Sequence, residues 1–181
     1  MGAKKVVMSE IKCRLKEEKE ILKCENLADY VQYENTLYKI FTELYEQEKL
    51  FYKEQPVRMK HYPPDYDIKT GFYHMICENY QHTGNEKDRK PNMRRCERIK
   101  WPTEIIGNCS KICEKIMIWE NERHGKRNVL LFCPELDYLI VLSKRKNYFL
   151  LTTAYPVEYS NRRNDLIKEY TEYVNKQRTS G

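Results

Sequence analysis

Apolar positions recur every three or four residues through the first third of the chain. Val7, Ile11, Leu15 and Leu22 stand at helical spacing among Lys and Glu, and Leu37, Ile40, Phe41, Leu44, Tyr45 and Phe51 repeat the pattern. The spacing predicts helix over 6–54, interrupted at Glu25-Asn26. Gln55-Pro56 ends it, because the residue before a proline disfavours the α region. Two such helices would form a charged hairpin, suited to packing or dimerisation. A proline-stiffened connector, His61–Asp67, follows, and then Gly71–Cys77, a short strand or buried element. Residues 78–100 are polar and charged, with Gly84 and Pro91 as breakers. Pro102 suits the first turn of a short helix over Thr103–Ile106, which 108–115 would continue.

From Ile116 the period shortens to that of strands. Ile116–Trp119, Asn128–Cys133, Tyr138–Ser143 and Tyr148–Tyr155 are short runs rich in β-formers. Turn segments Glu122–Arg127, Pro134–Asp137 and Lys144–Asn147 separate them. Such short connections favour antiparallel neighbours, hence a three- or four-stranded meander. Tyr138–Leu142 is nearly all apolar and reads as a central strand covered on both faces. Pro156 stops the last strand, and Ser160 or Asn161 caps a closing helix with Leu166, Ile167, Tyr170 and Val174 on one face. The expected fold is α+β. An N-terminal helical hairpin (1–55) precedes a domain (56–181) of helices packed on the antiparallel meander, with a closing C-terminal helix.

Composition narrows the classes. The 181 residues suffice for one domain with an appendage, and 40% hydrophobic with 33% charged residues excludes a fully disordered chain. No run of about 18 apolar residues is present, so no membrane span is expected. The basic start Met1–Lys5 leads into no apolar stretch, unlike a secretory signal, and Val6 stands where a myristoylation motif has Ser or Thr. Cysteines at 13, 24, 77, 96, 109, 113 and 133 are odd in number and irregular in spacing. They point to reduced thiols and a cytoplasmic setting.

The net charge of +6 is concentrated. Between Glu86 and Lys100 lie Lys87, Arg89, Lys90, Arg94, Arg95, Arg98 and Lys100 against Glu86, Asp88 and Glu97. Arginine's planar fork suits phosphate. His74 and His82 precede the cluster, and imidazole moves protons near neutral pH. Imidazole with guanidinium and no carboxylate cage suits metal-independent RNA cleavage. A base takes the 2′-hydroxyl proton, an acid protonates the leaving 5′-oxygen, and cations hold the charged transition state, leaving a 2′,3′-cyclic phosphate. The bland alternative makes Arg94, Arg95 and Arg98 a solvated helical face paired with acids, and His74, within an apolar run, a core residue. His82 lies in a polar loop and is the stronger catalytic candidate. Thr152, Thr153 and Tyr155 near the end of a strand offer hydroxyls, and Arg162 adds a cation near a helix start. His74, Cys77, His82 and Cys96 match no standard zinc spacing, and no nucleotide-loop, nucleophile-elbow or zincin motif occurs. No metal or cofactor is therefore expected.

The stretch GFYHMICENYQHTGNEKDRKPNMRRCERIKWPTEII, followed by the meander and YFLLTTAYPVEYSNRRNDLIKEY, resembles phage- and mobile-element-associated proteins of the barnase–EndoU–colicin–RelE (BECR) type. The resemblance covers roughly 59–170. It implies helices on a four-stranded antiparallel sheet and a metal-independent endoribonuclease, toxin-like or defence-associated, with tRNA as one substrate of the group. His82 is then expected as general acid or base, with His74 its partner. Arg95 and Arg98 would hold the scissile phosphate, helped by Arg89 and Arg94, and Thr153 would complete the catalytic set. Thr152, Tyr155 and Arg162 would contact substrate. Expected partners are RNA, a neutralising antitoxin or immunity protein, and a second copy through the N-terminal helices. Two other readings remain open: a non-catalytic nucleic-acid-binding module, and a phage accessory that works through protein interaction.

Overall fold

The structure is a computed structural model that describes residues 22–47, 49–59, 69–81, 83, 85, 88–108, 116–123 and 125–179. The first helix of the expected hairpin and His82 lie outside these residues. The interruption at Glu25-Asn26 is present. The Asn26 side chain accepts the Ala28 N–H at 3.0 Å and caps a 3₁₀ turn, Leu27–Asp29. Helix α1 (Tyr30–Phe41) follows and widens into a π-type segment, Thr42–Gln47, with Leu37, Phe41 and Tyr45 buried on one stripe.

Helix does not extend to residue 54. Instead β1 (Phe51–Tyr52) and β2 (Gln55–Arg58) form a tight hairpin through Lys53 and Glu54, both in the left-handed region at φ 47° and 64°. Tertiary contact overrides the helical spacing here, since the Tyr52 ring meets Phe149 edge-on at 5.1 Å, an anchor that only a strand delivers. The expected boundary between residues 55 and 56 falls inside this hairpin. Leu37 and Phe41 share a core with the sheet, so α1 is built into the domain rather than appended to it.

Of the two readings of Gly71–Cys77, the buried element holds and the strand does not. Residues Thr70–Ile76 form helix α2, in which Gly71, Phe72, Met75 and Ile76 are buried, a spacing that puts all four on one helical face. A two-stranded ladder, β3 (Cys77–Glu78) with β4 (Lys90–Pro91), then leads into α3 (Met93–Cys96) and α4 (Trp101–Asn108), which carries Pro102 in its first turn.

The meander consists of β5 (Met117–Arg123), β6 (Lys126–Cys133), β7 (Tyr138–Lys144) and β8 (Phe149–Pro156), all antiparallel. It is part of a larger, mixed sheet. β2 pairs with β8 in parallel, giving six strands in the order β1-β2-β8-β7-β6-β5. β7 is central, as its apolar run predicts. Val129, Leu131, Ile140, Leu142 and Leu151 face the helices α1–α4. Leu130, Phe132 and Leu139 face the other way, where α5 (Ser160–Thr179) covers them with Leu166, Ile167 and Tyr170. Strict alternation along β6 thus builds one core on each face. The fold is α+β, and no helix among the described residues is long and apolar enough to cross a membrane.

Candidate functional site

The cleft that draws most of the chain's polar chemistry lies where β8 runs out into α5, against the β3–β4 ladder and α3. It has a volume of about 620 Å³ and is lined by Glu78, Tyr80, Asn92, Met93, Arg94, Arg95 and residues 155–159, with Arg162 at its edge.

Asn92 organises it. Its backbone N–H donates to the Ile76 carbonyl at 2.9 Å. Its side-chain oxygen accepts the Arg95 N–H at 3.2 Å, capping α3, and its side-chain amide donates to Glu78 Oε2 at 2.7 Å. Asn92 therefore ties the helix that carries the arginines to the strand that carries the carboxylate.

Arg95 is 9% exposed. Its Nη1 donates to the Cys77 carbonyl at 3.4 Å, and its guanidinium lies over the Tyr155 ring at 5.3 Å, a cation–π contact. Its Nε stands 4.0 Å from Glu78 Oε2, close enough to attract but too far for a hydrogen bond, and that buried N–H has no acceptor among the described residues. Burial lowers the Arg95 pKa, opposed by the Glu78 charge. Arginine's ordinary value is so high that the cation persists. Arg94 is exposed and reaches Glu158 at 3.3 Å. Arg162 enters from the first turn of α5. Partial burial, then the neighbouring Glu78 charge, raises the Tyr80 pKa and keeps its phenol a donor at neutral pH. Tyr80 and Tyr159 flank the cleft at 54% and 76% exposure.

Of the expected residues, Arg94, Arg95, Tyr155 and Arg162 meet in this cleft. Of the other expected residues that the structure describes, none lines it. Arg98 donates to Glu97 at 3.0 Å and to the Arg94 carbonyl at 3.0 Å while stacking on Trp101, contacts that brace the end of α3. Arg89 stands near enough to Arg95 for its charge to be felt there. His74 lies on α2 with Nε2 2.7 Å from the Thr152 carbonyl, and since a carbonyl only accepts, Nε2 carries the proton. Thr152 is the extra residue of a β-bulge, because Leu151 pairs with Leu142 and Thr153 with Val141. Its hydroxyl turns back to the Leu150 carbonyl at 3.3 Å. Histidine and bulge thus form a structural joint between α2 and the sheet.

Glu78, Tyr80, Asn92, Glu158 and Tyr159 are polar or aromatic lining residues that were not among those expected from the sequence. Only Asn92 carried a local signal, a capping residue just before MRRC. Among the described residues, no three His, Cys, Asp or Glu side chains are grouped closely enough to hold a metal ion. No protein-family model, curated protein or solved structure matches the chain.

Proposed function

We propose that this cleft binds single-stranded RNA, seating one backbone phosphate against Arg95 while flanking bases stack on Tyr80 and Tyr159. One observation carries the reading: a buried guanidinium N–H without an acceptor among the described residues, in a cleft bordered by two exposed aromatic rings. A phosphate oxygen would supply the acceptor once the guanidinium, now buried, turns toward the cleft, and Arg94 and Arg162 add charge around it. Exposed rings beside cations are the usual means of holding unpaired bases, at about 1–3 kcal/mol per stacked base. Glu78 can accept from a 2′-hydroxyl, which favours RNA over DNA.

The test is fluorescence anisotropy with a labelled four-nucleotide oligouridine and its DNA counterpart. Arg95→Met should weaken RNA binding at least tenfold and Tyr159→Ala about fivefold or more, the latter matching about 1 kcal/mol of stacking. Equal affinities of both variants and the parent would refute the reading.

Cleavage of the bound strand is the second reading. It is favoured by a carboxylate (Glu78), a phenol (Tyr80) and a buried cation (Arg95) in one cleft, an acid–base set beside a phosphate site. It accords with the resemblance to metal-independent ribonucleases. His82, two residues beyond Tyr80 in sequence, remains a candidate for this chemistry. RNA incubated in EDTA should yield 2′,3′-cyclic phosphate ends, lost with Glu78→Gln or His82→Ala. RNA left intact would confine the function to binding.

A further inference from the structure

The far end of the sheet carries a second concentration of positive charge. The β5–β6 turn and the β7–β8 turn emerge at the same end, since Asn128 is in register with Ser143. They present Arg123, Lys126, Arg127, Lys144 and Lys146, all exposed, with Arg145 half-buried beside them. Among the described residues, the acids facing this rim are few. Glu122 is in register with Arg127, and Glu169 of α5 engages Arg123 at 3.0 Å. Glu54 of the β1–β2 turn is adjacent to Lys53. The cleft lies at the opposite end, where Tyr138 is in register with Pro156. The length of β8 separates the two by about 23 Å at the usual strand rise.

The character of this rim differs from that of the cleft. Among the described residues, the two turns hold cations without exposed aromatic rings, so they suit a phosphate backbone and not unpaired bases. They lie about two strand spacings apart, roughly 10 Å, which suits a row of phosphates better than one small anion. The exposed large apolar residues among those described (Leu27, Val31, Phe51, Tyr80 and Tyr159) all lie outside these turns, so the rim has no wedge for a lipid surface. We propose that the rim is a second RNA-docking surface, which grips the backbone of a base-paired segment irrespective of sequence while the cleft takes an adjoining unpaired strand. The RNA identity of this ligand rests on the reading of the cleft.

The experiment uses the full chain with two labelled probes, a 12-base-pair RNA duplex and the four-nucleotide oligouridine, over a range of salt. In Arg127→Glu/Lys144→Glu/Lys146→Glu, duplex affinity should fall at least tenfold. Oligouridine affinity should stay within about twofold. The slope of log affinity against log salt should become shallower by about two to three, one unit for each phosphate that the rim no longer neutralises. The control Lys23→Glu/Lys39→Glu/Lys49→Glu removes the same charge elsewhere and should change duplex affinity less than threefold. The glutamine version of the rim triple should lose at least fivefold if charge reversal proves disruptive, with circular dichroism as the folding check. Unchanged duplex affinity in the rim triple, an equal loss in the control, or wild-type binding to phosphatidylserine vesicles but not to duplex would overturn the proposal. A wild-type chain that grips duplex but ignores oligouridine would overturn the cleft reading alone.

Discussion

Arg95 and Glu78 decide the energetics at the scale of single residues. Arg95 is held by a carbonyl, an aromatic face and a nearby carboxylate, and Glu78 is fixed in turn by Asn92. Removing the carboxylate leaves a buried cation without its counter-charge and an amide without its acceptor. Glu78→Ala should therefore cost about 1–3 kcal/mol, read from the midpoint of urea unfolding. Glu158, by contrast, pairs with an exposed Arg94. Glu158→Ala should leave stability within about 0.5 kcal/mol. It should tighten oligouridine binding a few-fold in the anisotropy assay, because Arg94 is released to the ligand. Two buried thiols beside these residues set a pH dependence. Burial raises Cys77 to about 11 and Cys96 to about 12, above the ordinary thiol value. Above pH 9 the unfolded chain loses these protons before the folded one does. Stability should be flat with respect to these thiols below that pH and fall above it, by up to about 1.4 kcal/mol per pH unit for each thiol. Urea midpoints from pH 8 to 10.5 should show the decline. Cys77→Ala/Cys96→Ala should remove the part below about pH 10, leaving a residual fall from the buried Tyr45 and Tyr138, whose pKa values burial also raises.

At the scale of elements, the joint between α2 and β8 separates structure from chemistry. His74 has the residue type and sequence position of a catalyst, yet it donates to the extra carbonyl of a bulge. His74→Ala should lower stability by about 1–2 kcal/mol, the cost of a partly buried carbonyl left unsatisfied. Oligouridine affinity should stay within twofold, and a tenfold loss would mean that the histidine serves the ligand. The same joint explains what was legible in advance. The strands β5–β8 were readable because alternation and short turns are local signals, and α5 because its apolar stripe is regular. Gly71–Cys77 was legible as a buried element but not as a helix, because a seven-residue apolar run has no decisive period, and its helical face shows only once α1 packs on it. Phe51 and Tyr52 fit the helical stripe equally well until Phe149, almost a hundred residues away, engages Tyr52. Arg94 and Arg95 were legible as candidates by type. Their separation from Arg98 was not, because one turn of α3 carries Arg98 to Glu97 and Trp101. Tyr80 and Tyr159 were hidden among fifteen tyrosines, since exposure is a property of the folded surface.

For the whole molecule, the six-stranded sheet carries a cluster of cations at each end. One end gathers Arg94, Arg95 and Arg162 with two exposed tyrosines, and the other gathers the cations of two hairpin turns. Helices pack on both faces of the sheet, and a ligand that uses both ends must match the separation between them. The claim on which this arrangement turns is that Arg95 meets the ligand directly through its unsatisfied N–H. The most direct measurement is a ¹⁵N NMR titration of the arginine Nε–H resonances with oligouridine, with Arg95 assigned through Arg95→Met. The resonance of Arg95 should shift with saturating amplitude and become protected from exchange, while that of Arg98, already bound to Glu97, stays in place. A titration that moves surface arginines and leaves Arg95 still would contradict the account.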